Sequence, residues 1–139
     1  MTDDYTFFHP LRVRWNECDA QGIVFNVNYF LYYDIAALEY FRALGYDRED
    51  MPEFVTARAE ADFRGSAVFD DELRIGVRCA RLGSKSATME MIVMRGEELL
   101  NEGRLTYVAV AKGTTETMPL DEAYVARVLE FEKMRPEGR

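Results

Sequence analysis

The sequence has few of the residues on which several classes of protein depend. It contains two cysteines, Cys18 and Cys79, and one histidine, His9, in 139 residues. The cysteines do not form a C-x-x-C pair, so a disulfide scaffold and a cysteine-based metal site are excluded, as is a zinc site built on several histidines. A Ser-His-Asp or Cys-His catalytic site would have to use His9, next to Pro10. Any chemistry is therefore expected to depend on carboxylates, hydroxyls, backbone dipoles or groups of the ligand.

Long apolar runs and positive charge are also scarce. No stretch approaches the roughly 20 apolar residues of a membrane span, and the N-terminal segment MTDDYTFFHP is acidic where a signal peptide would be basic. The 17 Lys and Arg against 25 Asp and Glu leave a net charge of −8. This balance argues against nucleic acid or an anionic membrane as a partner. We expect a cytoplasmic protein with a single domain over residues 1–139, because 48% hydrophobic and 30% charged residues are typical of a soluble globular chain.

The few basic residues are unevenly distributed. Residues 73–95 hold five of them against one acidic residue, whereas residues 1–72 hold six basic and 15 acidic side chains. A basic segment in an acidic protein is compatible with a small phosphorylated ligand. Charge alone favours the simpler interpretation, a solvated strand face.

The hydrophobic pattern predicts five strands and two helices. Apolar and polar residues alternate with a period of two in four of the strands. The fifth, around YVAVA, is apolar on both faces and is expected to be central in a sheet. The predicted strands are 7–16, 55–63, 73–80, 87–95 and 100–112.

The long helix is the unusual element. It is predicted from Val27 to Leu44, with Asn26 or Asn28 as N-cap and Gly45 as C-cap. Few of its residues are polar, so we expect it to be buried on most sides. A second, amphipathic helix is predicted after Pro119. The pattern indicates an α+β fold, in which one antiparallel sheet wraps the long helix and a second subunit covers the open edge and outer face of the sheet.

The stretch Asp19-Ala20-Gln21-Gly22-Ile23-Val24-Phe25-Asn26 contains the residues suited to chemistry. It places a carboxylate in a glycine-containing loop directly before a helix N-terminus, whose unpaired N–H groups can stabilise an oxyanion. Gly22 would allow close approach of the loop, and Asp19 could attack a carbonyl or activate water. These are the minimal parts for acyl transfer. The alternative is an Asp that only holds a turn through an Asx hydrogen bond.

Three segments together resemble a known family. WNECDAQGIVFNVNYFLYYDIAALEYFRALG is similar to the signature of hotdog-fold acyl-CoA thioesterases of the 4-hydroxybenzoyl-CoA thioesterase class, with D-x-x-G-x-V followed by an aromatic-rich helix. ADFRGSAVFDDEL and RLGSKSATME resemble the later strand and hairpin of that family. The resemblance covers roughly residues 7–112, in the same order and spacing, and implies a hotdog fold.

The resemblance also implies roles for individual residues. Asp19 occupies the position of the catalytic carboxylate, and Asn26 the helix start whose backbone N–H polarises the thioester carbonyl. Tyr29 is a candidate for the acyl pocket. The hairpin residues expected to bind the nucleotide end of coenzyme A are Arg81, Ser84, Lys85 and Ser86. Because this hairpin lies in the basic segment, we interpret that segment as a ligand-binding feature.

One departure from the family limits the mechanism. Several relatives carry a histidine where Ile23 or Asn26 stands here, whereas the aspartate-driven route needs none. We therefore expect hydrolysis of an acyl-CoA to the free acid and coenzyme A without metal or organic cofactor, in a homodimer or homotetramer. The alternative is a non-catalytic module that binds acyl-CoA or acyl carrier protein. A hotdog-type dehydratase is disfavoured because it uses a histidine-containing dyad. The acyl group, the carrier, and covalent versus base-assisted hydrolysis stay open.

Overall fold

A computed structural model describes all residues from 1 to 139. Five strands and two α-helices account for the regular structure. The strands are β1 (Phe7–Arg12), β2 (Phe54–Phe63), β3 (Glu72–Leu82), β4 (Ser86–Arg95) and β5 (Glu98–Ala109), and the helices are α1 (Asn28–Ala43) and α2 (Glu122–Phe131). Neither helix is long and apolar enough to cross a membrane.

The strands form one antiparallel sheet in the order β1-β3-β4-β5-β2. Because β2 pairs with β5 and not with β3, residues 64–71 carry the chain from one edge of the sheet toward the other. The predicted α+β architecture with the sheet around α1 is confirmed. β5 lies inside the sheet, as its apolar centre predicts, and β2 forms one of the edges.

The core lies between α1 and the inner face of the sheet. The apolar residues that alternate along β3 and β4 are buried, as their period of two predicts, and seven residues of α1 join them in one cluster. Gly103 on β5 is needed for this packing, because a Cβ there would lie 2.2 Å from the ring of Tyr33. The buried residues of α1 are Tyr29, Tyr32, Tyr33, Ala36, Ala37, Tyr40 and Phe41.

Two local predictions are wrong. The first strand, predicted over 7–16, ends at Arg12, and Trp15, one of the alternating apolar residues of that stretch, is 75% exposed in a 3-10 turn. The pairing continues for one residue beyond β1, since Val13 donates its N–H to the carbonyl of Asp71 and accepts that of Asp70, and the chain then turns away from β3. The N-cap position of α1 is Val27, with no side-chain cap.

In the edge strand β2, buried and exposed residues do not alternate regularly as the sequence predicts. A bulge between Thr56 and Arg58 changes the register against β5, and as a result Phe54 and Ala61, an odd number of positions apart, both pack on the core. The residues from Val55 to Glu60 are exposed in the single chain.

Candidate active site

Asp19 lies in a tight loop that its own groups help to close. Its N–H donates to the carbonyl of Ile23 at 2.8 Å, and its carbonyl accepts from Gly22 at 3.0 Å. Gly22 has φ +81°, a backbone conformation that favours glycine. Asp19 Oδ1 accepts the N–H of Gln21 at 2.8 Å, so the Asx turn of the alternative interpretation is present. Oδ2 accepts no hydrogen bond within the chain and is available for chemistry.

A buried carboxylate, that of Glu17, anchors this loop to α1. Glu17 Oε1 accepts the hydroxyl of Tyr32 and the N–H of Arg14, both at 2.8 Å. The side-chain amide of Asn28 donates to the carbonyl of Glu17, also at 2.8 Å, and so anchors the loop instead of capping the helix. Burial and the Glu17 carboxylate raise the pKa of Tyr32. The only sequence signal for Glu17 is its place two residues before Asp19.

The other side of the loop is attached to the chain that follows β2. Val24 donates its N–H to the carbonyl of Ala67 at 2.9 Å, and the Tyr29 hydroxyl accepts the N–H of Ala67 at 3.1 Å. The Tyr29 ring meets Phe63 edge-on, with centroids 5.5 Å apart. Burial raises the pKa of Tyr29. Tyr29 thus holds the site together, and Phe63 is the more accessible of the two rings.

The N-terminus of α1 presents free backbone donors beside this loop. Asn28 and Tyr29 donate their N–H groups to the carbonyls of Phe25 and Asn26. The N–H groups of Asn26 and Val27 have no acceptor in the chain, and both residues are exposed. Unpaired donors at a helix start carry partial positive charge and can bind an oxyanion.

The hairpin residues cluster elsewhere, between β3 and β4. Lys85 Nζ donates to Thr117 Oγ1 at 3.3 Å, and the Ser84 carbonyl accepts the N–H of Leu120 at 3.0 Å. Arg81 is exposed and has no carboxylate partner within 4.0 Å, and Ser86 begins β4. The cationic side chains at this end are available to an anion.

Within one chain the two groups of predicted site residues do not meet. The Asp19 loop lies at the start of β3, near Ala67, and the hairpin lies at its other end. Eleven strand residues span about 35 Å.

The basic segment forms one β-hairpin, but its five positive charges do not form one cluster, because long antiparallel strands disperse them. Arg95 pairs with Asp71 at 2.6 Å at the Asp19 end, and Arg78 pairs with Glu90 at 2.6 Å in mid-sheet. Only Arg81 and Lys85 of the five basic residues lie near the hairpin turn.

Large apolar residues are exposed in the Asp19 loop, on α1, on β2 and in the chain after β2. On α1 they include Leu31 and Leu38, with Asp34 between them accepting the hydroxyl of Tyr107 at 3.2 Å. These exposed residues are Trp15, Phe25, Val27, Leu31, Leu38, Val55, Phe63, Val68 and Phe69.

Comparison with known proteins identifies the family that this chain is similar to. The sequence signature described as "Thioesterase superfamily" matches residues 21–102, more than half of the chain. An uncharacterised protein of Bacillus subtilis, YsmA, is 31% identical over 113 residues, which are 78% of this chain and 75% of that protein. The acyl-CoA thioesterase YbgC of Haemophilus influenzae is 25% identical over 79% of this chain and 85% of its own.

A solved structure is similar over nearly the whole chain. A thioesterase of Thermus thermophilus, crystallised with coenzyme A and Zn, superposes with a TM-score of 0.86 at 29% identity, over 95% of this chain and 98% of that one. The predicted hotdog fold is confirmed by this match together with the observed sheet and helix.

Proposed function

Since the chain belongs to the thioesterase superfamily, we propose that this thioester hydrolase cleaves an acyl-CoA to the free acid and coenzyme A at Asp19. The observation that carries the proposal is the pairing of two features in one loop. The Asp19 carboxylate keeps one oxygen free, and the backbone N–H groups of Asn26 and Val27 lack acceptors. A nucleophile or base together with oxyanion donors is what acyl transfer to water requires.

The chemical step balances without any further group. Either Asp19 Oδ2 attacks the thioester carbon, or it takes a proton from a water molecule that attacks. The carbonyl oxygen becomes an oxyanion that accepts hydrogen bonds from Asn26 and Val27. The C–S bond then breaks and the thiolate of coenzyme A leaves, taking up the proton held by Asp19 or one from solvent. The acid is formed directly, or by attack of water on an acyl-aspartate anhydride, which releases the Asp19 carboxylate.

Binding of the nucleotide end of coenzyme A requires a second copy of the chain. β2 is an edge strand that spans the two ends of the sheet: Phe54 pairs with Ala109, whose N–H donates to the carbonyl of Lys85, and Phe63 packs on Tyr29. Antiparallel pairing of two β2 edges about a twofold axis sets the Phe54 end of one copy beside the Phe63 end of the other. The hairpin of each copy then approaches the Asp19 loop of its partner.

The exposed surface supports the same arrangement. The edge of β2 offers unpaired backbone groups, and the adjoining face of α1 exposes Leu31 and Leu38. Both are features that proteins cover by association. We propose a homodimer through β2 and α1, in which Arg81, Ser84, Lys85 and Ser86 of one copy bind the phosphates of a substrate held at the other. A homotetramer would pair such dimers.

The relatives support acyl-CoA as the substrate class. The Haemophilus influenzae relative is named an acyl-CoA thioesterase, and the similar Thermus thermophilus structure holds coenzyme A.

The test is thiol release from a panel of aromatic and aliphatic acyl-CoAs by the wild type, Asp19→Asn and Asp70→Asn. Asp70 is a matched control, since it is an exposed aspartate of the turn before β3 whose φ of +69° suits asparagine as well. We expect Asp19→Asn to lose about 10²–10⁴ in turnover while binding acyl-CoA as before, and Asp70→Asn to stay active.

Full activity of Asp19→Asn would contradict the assignment of Asp19 as the catalytic carboxylate. Tight binding with no turnover of any acyl-CoA by the wild type would contradict hydrolysis of acyl-CoA, and would favour the binding module or an acyl-carrier-protein substrate.

A further inference from the structure

The chain between β2 and β3, residues 64–71, is a crossover segment that supports the Asp19 loop from one side. Val68 pairs with Ile23 in an isolated antiparallel bridge, and the carbonyl of Ala67 accepts the N–H of the next loop residue at 2.9 Å. The carbonyl of Ile23 in turn accepts the N–H of Asp19 at 2.8 Å. The position of Asp19 therefore depends on where this segment lies.

The carboxylate of Asp71 fixes the crossover segment from within. Asp71 Oδ2 accepts the N–H of Val68 at 2.8 Å, and the Asp71 N–H donates to the Val68 carbonyl at 3.2 Å. The Asp71 carbonyl also accepts the N–H of Val13 at 3.0 Å, which attaches the segment to the end of β1. Asp71 thus holds Val68, the residue that pairs with the Asp19 loop.

The guanidinium of Arg95, at the end of β4, holds this carboxylate from outside the segment. Its Nη1 donates to Asp71 Oδ2 at 2.6 Å and to the Ser66 carbonyl at 3.2 Å. Its Nη2 donates to Glu98 Oε1 at 2.9 Å. The planar fork of arginine suits this arrangement, because it presents donors to separate acceptors in fixed geometry, whereas the ammonium of lysine is a point charge.

A local feature of the sheet places Arg95 beside the crossover segment. A bulge between Val93 and Met94 shifts the register of β4 against β5 directly before Arg95. Bulges change the direction of a side chain and are frequent next to active sites. Arg95 therefore differs from Arg81 and Lys85 of the same basic segment, because its charge is occupied by two carboxylates of the chain.

We propose, on the basis of the function proposed above, that Arg95 and Asp71 are positioning residues for hydrolysis. Through Val68 they hold the Asp19 loop in the geometry that attack on a thioester requires. A shift of about 1 Å at a reacting group can lower a rate about 10²-fold, even when its origin is remote from the chemistry. Loss of the Arg95–Asp71 contact should therefore lower kcat without weakening the binding of substrate.

The first experiment measures kcat and KM for acyl-CoA hydrolysis by Arg95→Gln, Arg95→Lys, Asp71→Asn and the double variant Arg95→Gln/Asp71→Asn. The matched control is Arg78→Gln, because Arg78 also pairs with a carboxylate at 2.6 Å, that of Glu90, but in the middle of the sheet. Thermal unfolding of each variant gives the temperature range in which it is folded, and rates are compared within that range.

We expect Arg95→Gln and Asp71→Asn each to lower kcat about tenfold with KM unchanged. The double variant should be no slower than the slower single variant, because both substitutions break the same contact. Arg95→Lys keeps a positive charge beside Asp71 and should recover part of the loss. Arg78→Gln should lower the Tm but leave kcat within about twofold of the wild type.

The second measurement is amide hydrogen exchange of Val24, which needs no substrate. The Val24 N–H donates to the carbonyl of Ala67, so a loosened crossover segment exposes it more often. Its exchange should be about tenfold faster in Arg95→Gln and Asp71→Asn than in the wild type, and unchanged in Arg78→Gln.

Three results would overturn the proposal: an unchanged kcat in both Arg95→Gln and Asp71→Asn, an equal loss of kcat in Arg78→Gln, or fully additive losses in the double variant. Failure of the proposed function gives a different result, because the wild type would then release no thiol from any acyl-CoA. The exchange rate of Val24 would still decide whether Arg95 and Asp71 hold the loop.

Discussion

The two ends of the sheet differ in how their functional groups are held. At one end, the Asp19 loop is tied to α1 and to the chain after β2 by hydrogen bonds of Glu17, Asn28 and Val24. At the other end, Arg81 has no carboxylate partner, and Lys85 reaches only the hydroxyl of Thr117.

This difference matches what the task proposed for each end requires. Attack on a carbonyl needs a carboxylate and oxyanion donors in fixed geometry, and buried hydrogen bonds supply it. Binding a phosphate at the surface needs positive charge more than geometry. Changes at the Asp19 end should therefore affect turnover, and changes at the hairpin end should affect binding of substrate.

The largest expected effect comes from combining a variant of each end. Asp19→Asn and the double variant Arg81→Glu/Lys85→Glu should each be nearly inactive at low substrate concentration. If each site takes Asp19 from one copy and the hairpin from its partner, mixed dimers contain one intact site. A one-to-one mixture, dissociated and reassembled, should then recover about a quarter of the wild-type activity. No recovery, with mixed dimers shown to form, would place both ends of the site in one chain.

The next effect concerns the hairpin alone. Lys85→Ala and Arg81→Ala should each raise KM by about tenfold with little change in kcat, since each removes a charge-assisted contact to a phosphate. Both variants should hydrolyse an acyl-pantetheine substrate, which lacks the nucleotide, at the wild-type rate. Arg74→Ala on the same strand is the control, because Arg74 covers the ring of Phe8 and lies away from the hairpin. A fall in kcat on both substrates would contradict the division between the two ends.

A smaller effect tests whether Tyr32 on α1 positions the Asp19 loop or only stabilises the fold. Tyr32→Phe removes the hydrogen bond to Glu17 behind the Asp19 loop, and Tyr33→Phe removes an equally buried bond to Asn101. Both should lower the free energy of unfolding by about 1 kcal/mol. Only Tyr32→Phe should also lower kcat, by several-fold, which steady-state kinetics and chemical denaturation together would detect. An equal loss of kcat in both variants would mean that Tyr32 acts through stability alone.

The smallest expected effect is a pH dependence of stability. Glu132 accepts the N–H of Cys79 and the hydroxyl of Tyr40, and burial raises its pKa above the ordinary value of 4.5. The folded state therefore holds its proton more firmly than the unfolded state, so stability is lost as pH rises from about 4.5 through the raised pKa.

Glu132→Gln should remove this loss. The Tm of Glu132→Gln minus that of the wild type should increase by a few degrees as the pH rises from acidic to neutral. Glu130→Gln, an exposed neighbour on α2, should show no such trend. A Tm difference independent of pH would contradict the assignment.

Much of the fold could be predicted because apolar residues that become buried recur along the sequence with the period of a strand or a helix. Leu73, Ile75, Val77 and Cys79 alternate in the sequence and are all buried in β3. The α1 helix was predicted to within one residue at each end. Trp15 could not be placed, because its exposure depends on where β1 stops pairing with β3, and residues about 60 positions away decide that.

The sequence by itself determined the local parts of the site. Asp19, Gly22 and the start of α1 lie close together in the sequence, so turn and helix propensities suffice to bring them into one loop. Only the tertiary structure decided that Glu17 supports this loop and that Asp19 and Lys85 lie at opposite ends of the sheet. Those relations depend on hydrogen bonds and strand registers between residues far apart in the chain, and a local pattern contains no information about them.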